Sequence, residues 1–191
     1  MLSLLALADG PIYHRLAVEK WVHATYPENH LLGTIYKKSK EPRIRIGYYS
    51  AEFHNHETTY LVAGLFEHHN KNKFELIAFS FGPVRNDEMR KRVVAAFDQF
   101  LDVANLSDIE VASLSRRMGI DVAVDLKGLT QESRAGIFSY RAAPIQISYL
   151  GFPGTMGASY RLSRCRQDAH TSAKPEILCR KNCLSSKQLP S

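Results

Sequence analysis

From residue 43 to residue 150 the chain switches hydrophobic period again and again, and always in the same sense. A short run alternating at period two is followed by a longer amphipathic run at helical spacing. The period-two runs are 43–50 (RIRIGYYS), 74–81 (FELIAFSF), 100–103, 120–126 (IDVAVDL) and 145–150 (IQISYL). Between them lie 59–69 (TYLVAGLFEHH), 87–97 (DEMRKRVVAAF), 108–118 and 131–141, which predict helices. Strands separated by helices cannot close as hairpins. They pair side by side in one direction, with the helices returning over the sheet. The expected fold is therefore α/β: a Rossmann-like parallel sheet with helices on both faces. No repeat of 20–50 residues competes with that reading.

Local signals agree with the period. Ser107 with Glu110 three residues on forms a capping-box pattern, and Gly119 ends the helix it opens. Asp87 and Glu88 put acids at a helix start, where the dipole favours them. Ahead of the first strand, Asp9-Gly10-Pro11 opens a helix over 12–24, in which Ile12, Leu16, Trp21 and Val22 fall near one side; Pro27 closes it. Residues 30–42, ending in KKSKEP, read as a solvated linker. The expected organisation is a helical lead-in and linker over 1–42, a lobe over 43–160 and an irregular basic tail over 161–191. The apolar start, MLSLLALA, lacks a basic flank and is short for a secretion signal, so it reads as the end of a truncated helix.

Charge decides which partners to expect. The net charge is +6, but residues 161–191 carry seven basic groups against Asp168 and Glu176, leaving +1 for the first 160 residues. A body so nearly neutral is not built to follow a phosphate backbone, so no nucleic-acid partner is expected. No apolar run is long enough to cross a bilayer, and no membrane partner is expected. Cys165, Cys179 and Cys183 all lie in the tail; a body without cysteine suits a reducing compartment, hence a cytoplasmic location.

In a parallel sheet the loops that follow the strands gather along one edge, where open α/β folds bind ligands. Three of these loops are unusual: 51–56 (AEFHNH), 127–131 (KGLTQ) and 151–157 (GFPGTMG). Together they bring two imidazoles, a lysine, two threonines, a glutamine and four glycines. Glycines allow backbone N–H groups to approach an anion closely, and an imidazole can take a proton. His56 is the candidate base. His54, Lys127, Thr130, Gln131, Gly154 and Thr155 are the candidate substrate-binding residues. Plainer readings stand beside each. A histidine in a loop is more often a surface residue, and GFPGTMG lacks both the P-loop ending and the dinucleotide spacing. Asp125, at a strand end, serves equally as a cap. His68 and His69 are adjacent on a helix and point apart, which disfavours a metal site.

The residues IRIGYYSAEFHNH, LFEHHNKNKFELIAFSFGP, DEMRKRV and GIDVAVDLKGLTQESRAGIFSYRAAPIQISYLGFPGTMGASY together resemble the catalytic region of the O-GlcNAc transferase and SPINDLY-like family, glycosyltransferase family 41. The likeness runs from about Arg43 to Tyr160, and its Lys-Gly-x-Thr-Gln form is closest to bacterial members that carry tetratricopeptide repeats. The resemblance implies the N-terminal lobe of a GT-B glycosyltransferase. It implies inverting transfer of GlcNAc from UDP-GlcNAc to Ser or Thr hydroxyls of acceptor proteins, with no cofactor and no metal. A fucose-transferring branch is close kin. The family's Asp-Phe-x-Asn-His motif appears here as Glu52-Phe53-His54-Asn55-His56, so the role of active-site histidine falls on His56. Its Asn-Gly-x-Thr loop near the donor sugar appears as Lys127-Gly128-Leu129-Thr130, with Lys127 and Leu129 departing from the better-studied members.

The resemblance also implies a second lobe, which this chain does not continue into. Past Tyr160 it loses periodicity. With permitted codons the same bases read in the neighbouring frame can spell IDYLVADR and then QKYYAEKIVYLP, the family's own continuation. Residues 161–191 are therefore expected to be an out-of-frame translation; an intact single frame in independently sequenced coding DNA removes that idea. A zinc site from Cys165, His170, Cys179 and Cys183 is the rival reading, and its spacing fits no standard finger. Half a cleft predicts little or no activity alone. The competing class is a non-enzymatic binding or scaffold module.

Overall fold

The computed structural model describes residues 11–35, 42–152 and 156. Its elements in order are α1 (Pro11–Thr25), β1 (Ile44–Ser50), α2 (Glu57–Glu67), β2 (Phe74–Ser80), α3 (Glu88–Ala96), β3 (Gln99–Asp102), α4 (Asp108–Arg117), β4 (Val122–Asp125), α5 (Gly136–Ser139) and β5 (Ile145–Ser148). The five strands form one sheet in the order β3-β2-β1-β4-β5, and every pairing is parallel. The chain winds outward from β1 to one edge, returns, and winds outward to the other. β1 and β4 are thus neighbours in space though three helices separate them in sequence.

The sheet is apolar on both sides because its central strands are buried on both sides. Ile46, Tyr48, Leu76, Ala78 and Val124 join Val62 and Phe66 of α2 and Met89 and Val93 of α3 in one core. Tyr49, Ile77, Phe79 and Ala123 join Val111 and Ala112 of α4 and Ile137 and Phe138 of α5 in the other. Period two thus sends successive residues to opposite cores. The adjacent tyrosines Tyr48 and Tyr49 display this. Tyr48 packs edge-on against Phe66, and its hydroxyl lies 2.9 Å from Nε2 of His69. Burial pushes that phenol up to about 12. The Tyr49 ring stacks on Phe79, and its hydroxyl donates to Ser115 Oγ at 2.5 Å. Each buried phenol therefore has its polar partner on the helix layer it faces.

Two expectations change. The helix expected over 131–141 shrinks to the four residues of α5. Glu132 and Arg141 both adopt positive φ, and Ser133 Oγ donates to Gly128 O at 2.5 Å, so local side-chain bonds and left-handed residues replace helical ones. The apolar side of α1 is only partly the expected one: of Ile12, Leu16, Trp21 and Val22, Val22 alone is buried. Val18 and Val22 are the buried pair at 2 % exposure, while Ile12 is 63 % exposed and Leu16 is exposed too. Parts of 11–35 pack on the lobe. Val18 and Val22 belong to the α4/α5 core, and Arg116 donates to the carbonyls of Leu32 and Gly33 at 2.8 and 2.9 Å. The first part of the expected linker is therefore bonded onto the lobe. The residues proposed for the out-of-frame tail and for the rival zinc site lie outside the described residues. Among the described residues no helix is long and apolar enough to cross a membrane.

Candidate functional site

Because β1 and β4 are adjacent and their neighbours wind away in opposite directions, their carboxyl ends are the switch point of the sheet, the place outside which open α/β sheets form their ligand crevice. The register Tyr49↔Asp125 brings the segments after both strands level with each other. The loop after β1 is tightly folded. Ser50 Oγ accepts from the Glu52 N–H at 2.9 Å, and Glu52 O accepts from the His54 N–H at 2.7 Å and from the Thr59 hydroxyl. Phe53 turns inward between Phe66, Phe97 and Phe100, which pins the loop to the core below it. From the far side Arg90 reaches the Phe53 carbonyl at 3.4 Å while stacking over Phe100.

This anchoring leaves the histidines at the rim. His56 is the N-cap of α2: its Nδ1 accepts from the Thr58 N–H at 3.2 Å. Its side chain is 36 % exposed, and Nδ1 also stands 3.4 Å from Glu52 Oε2. The His54 ring lies 5.9 Å from that of His56, and its Nδ1 is buried with no hydrogen-bond partner among the described residues. Burial first, and the neighbouring His56 second, hold the His54 imidazole below the usual histidine range, although Asp87 opposes them.

Lys127 comes from the loop after β4. It is only 5 % exposed, and its Nζ donates to Glu52 Oε1 at 2.5 Å. The loop that carries it is braced from within. Asp125 Oδ1 accepts from the Lys127 N–H at 2.8 Å, and the Thr130 hydroxyl donates to Lys127 O at 2.9 Å. Gly128 has φ +59, and a Cβ there would stand 2.5 Å from Phe152 Cβ. Gly151 in turn has the Leu126 and Lys127 carbonyls where its Cβ would be. The loops after β4 and β5 are therefore in contact, and only glycine fits at that contact.

Four of the sequence candidates, His54, His56, Lys127 and Thr130, share the rim above β1 and β4. Gln131 is exposed on the same loop as Lys127. Gly154 and Thr155 lie outside the described residues. Leu129 faces the core instead of the crevice. Glu52 was not among the candidates, yet it links the two loops. No local signal marks it: a carboxylate two residues past β1 and a lysine two residues past β4 become neighbours only once those strands are paired.

Comparison with known proteins accords with this geometry. The chain is 38% identical over 118 residues to a probable UDP-N-acetylglucosamine–peptide N-acetylglucosaminyltransferase, SEC, of Arabidopsis thaliana; the match spans 62% of this chain and 12% of that protein. It is 29% identical over 119 residues to the corresponding transferase of Caenorhabditis elegans, spanning 62% of this chain and 10% of that one. Its structure resembles a mutant O-GlcNAc transferase of Thermobaculum terrenum with a TM-score of 0.66 at 30% identity, covering 75% of this chain and 28% of that one. The chain thus spans about an eighth or less of those two curated relatives. The family model "Glycosyl transferase family 41" matches residues 16–175, from within α1 through the whole sheet, and on that span the chain belongs to glycosyltransferase family 41.

Proposed function

We propose that this chain forms one wall of the cleft of a bacterial-type protein O-GlcNAc transferase, the N-terminal lobe of a GT-B pair. The observation that supports the reading is that His56 and Lys127 both lie against Glu52 beyond the ends of β1 and β4, with the Thr130 hydroxyl bonded to the Lys127 carbonyl. In the proposed reaction a Ser or Thr hydroxyl of an acceptor protein gives its proton to His56. The oxygen attacks C1 of GlcNAc from the face opposite UDP. The bond from C1 to the diphosphate oxygen breaks, UDP leaves with the electron pair, and C1 inverts. His54, Thr130, Gln131, Gly154 and Thr155 are the proposed contacts to donor and acceptor, with Lys127 supplying a cation at this wall. Neither metal nor cofactor enters the scheme.

A hydroxyl is a poor nucleophile and gains from a base within hydrogen-bond reach. The larger contribution is stabilisation of charge on the departing diphosphate. A single wall cannot enclose a diphosphate, so this chain alone transfers little or no sugar. The test is a calorimetric titration with UDP-GlcNAc of this chain and of a version with the frame corrected after Tyr160. The reading expects weak binding by the first, and tight binding with transfer by the second. A frame-corrected protein that binds no UDP-GlcNAc overturns it in favour of a scaffold; one that prefers GDP-fucose moves it to the fucose-transferring branch.

A further inference from the structure

An imidazole that accepts a proton at Nε2 must have a lone pair there, and when neutral it then carries its hydrogen on Nδ1. The surroundings of His56 Nδ1 make opposing demands. The Thr58 N–H, 3.2 Å away, is a donor and needs Nδ1 bare, which places the hydrogen on Nε2. Glu52 Oε2 stands 3.4 Å away, at ion-pair distance; it is an acceptor, and a hydrogen bond to it requires Nδ1 to carry the hydrogen, which frees Nε2. One contact suits an N-cap, the other suits a base.

We propose that the buried Glu52–Lys127 pair is the tautomer selector of His56, making both residues positioning residues for the base; this rests on the reading of His56 given above. Lys127 Nζ, 2.5 Å from Glu52 Oε1, fixes the rotation of the carboxylate so that the second oxygen faces the ring. The Glu52 and Lys127 side chains are 11% and 6% exposed, so the carboxylate acts on the imidazole with little screening. A charged acceptor outweighs a neutral backbone donor. The same oxygen then lies beside Nδ1–H when Nε2 has taken a proton, which stabilises the imidazolium as it forms. His54, the other titratable ring next to His56, is held toward its neutral form by burial and does not oppose this. A pair that only pinned two loops together would have no need of its second oxygen at the ring.

The test is the ring-nitrogen NMR spectrum of His56 in the full chain, at a pH where imidazole is neutral, assigned by loss of its signals in His56→Gln. The wild type is expected to hold mainly the Nδ1–H tautomer. In Glu52→Gln the amide oxygen still accepts from Lys127, so its NH2 group turns toward Nδ1. Both neighbours of Nδ1 are then donors, and the major tautomer reverses to Nε2–H. The Glu52→Met/Lys127→Met double variant removes the carboxylate without leaving a buried charge, and the same reversal is expected. A wild type that holds Nε2–H, or a major tautomer unchanged in both variants, overturns the proposal. The readout needs no sugar nucleotide. Reversal together with failure of the frame-corrected protein to bind UDP-GlcNAc sinks the transferase reading and leaves the selector standing; binding with no reversal does the opposite.

Discussion

The two ends of the sheet both carry charge, and they handle it in opposite ways. At the amino ends of the strands, Arg43 and Arg45 meet Glu75 at 3.5 and 3.1 Å, and Arg43 meets Asp98 at 3.3 Å. The carboxylates there also accept from backbone: Asp98 from the Leu76 N–H, and Asp121 from the Arg45 N–H. These groups are shared among several partners and partly open to water. At the carboxyl ends, Arg90 reaches Asp102, Ser80 Oγ and the Phe53 carbonyl toward one edge, while at the centre Lys127 sits on Glu52, both buried, with an imidazole beside them. Removing two charges from water costs several kcal/mol for each ion, so such a pair is poor at adding stability. The amino end shows charge used to finish a sheet. The carboxyl end shows charge kept in spite of its cost, at the crevice where the family's chemistry is proposed.

The contrast breaks first if Lys127 proves dispensable. Lys127→Met leaves Glu52 buried without its cation, and the expected loss is about 3–5 kcal/mol of folding stability. Glu52→Met/Lys127→Met removes both charges and should recover most of it. Urea denaturation of the three proteins measures this. A single variant as stable as the double would mean that Glu52 is solvated by other means, and the two ends would then differ less than their burial indicates.

Glycine gives a second comparison. Gly128 at the carboxyl end and Gly33 in the segment bonded to Arg116 both have positive φ, +59 and +66. A Cβ on Gly128 meets Phe152, whereas one on Gly33 meets nothing within 4 Å. Gly33→Ala should therefore cost only the left-handed strain, about 1–2 kcal/mol. Gly128→Ala should cost that plus the clash, about 2–4 kcal/mol in all. Equal losses would show that the loops after β4 and β5 separate easily, and the braced rim would have to be redrawn.

How far the sequence disclosed these ends follows from the range of the interactions involved. Strand and helix positions were legible because alternation is local: Tyr48 and Tyr49 had to face opposite ways in a strand covered on both sides. The capping box at Ser107 was legible for the same reason, and its Ser107 N–H donates to Glu110 Oε2 at 2.7 Å. The shape of 131–141 was not, because Arg134 is held by groups distant in the chain, reaching Asp108 and the Leu106 carbonyl. The buried face of α1 was hidden too, since a helix with apolar residues on two sides turns toward whichever core receives it. At the site the histidines could be read as a motif. Glu52 as the partner of Lys127 could not, because that pairing exists only once β4 lies beside β1.

Acid should separate the two ends more gently. His54 lies at the carboxyl end, and burial lowers its folded value below the ordinary histidine range. Its neutral form is therefore favoured on folding. The sign follows: this contribution to stability is fully present above the unfolded value and is lost as pH falls from about 6.5 through the lower folded value. The wild type should lose stability between about pH 7 and 5, and His54→Gln should lose less across the same interval. Equal slopes in the two proteins would place the acid sensitivity elsewhere, with His69, whose imidazole burial also lowers, as the next group to replace.

The smallest effect is expected where the charges are most numerous. Arg43 contacts Glu75, Asp98 and the Lys71 carbonyl, all at 3.3–3.5 Å, and its side chain is 35% exposed. Exposed pairs of this kind contribute about 0–1 kcal/mol, because water screens them and the long side chain loses freedom in forming them. Arg43→Gln should fall within that range. At about 1 M salt, where the screening length shrinks to about 3 Å, even that difference should vanish. The Lys127→Met loss should persist in the same salt, because ions do not enter the space between Lys127 and Glu52. Measuring both variants at low and high salt turns the comparison of the two ends into a single ratio. If Lys127→Met proves as salt-sensitive as Arg43→Gln, the crevice is open to solvent, and His56 stands in water rather than in the field of a buried carboxylate.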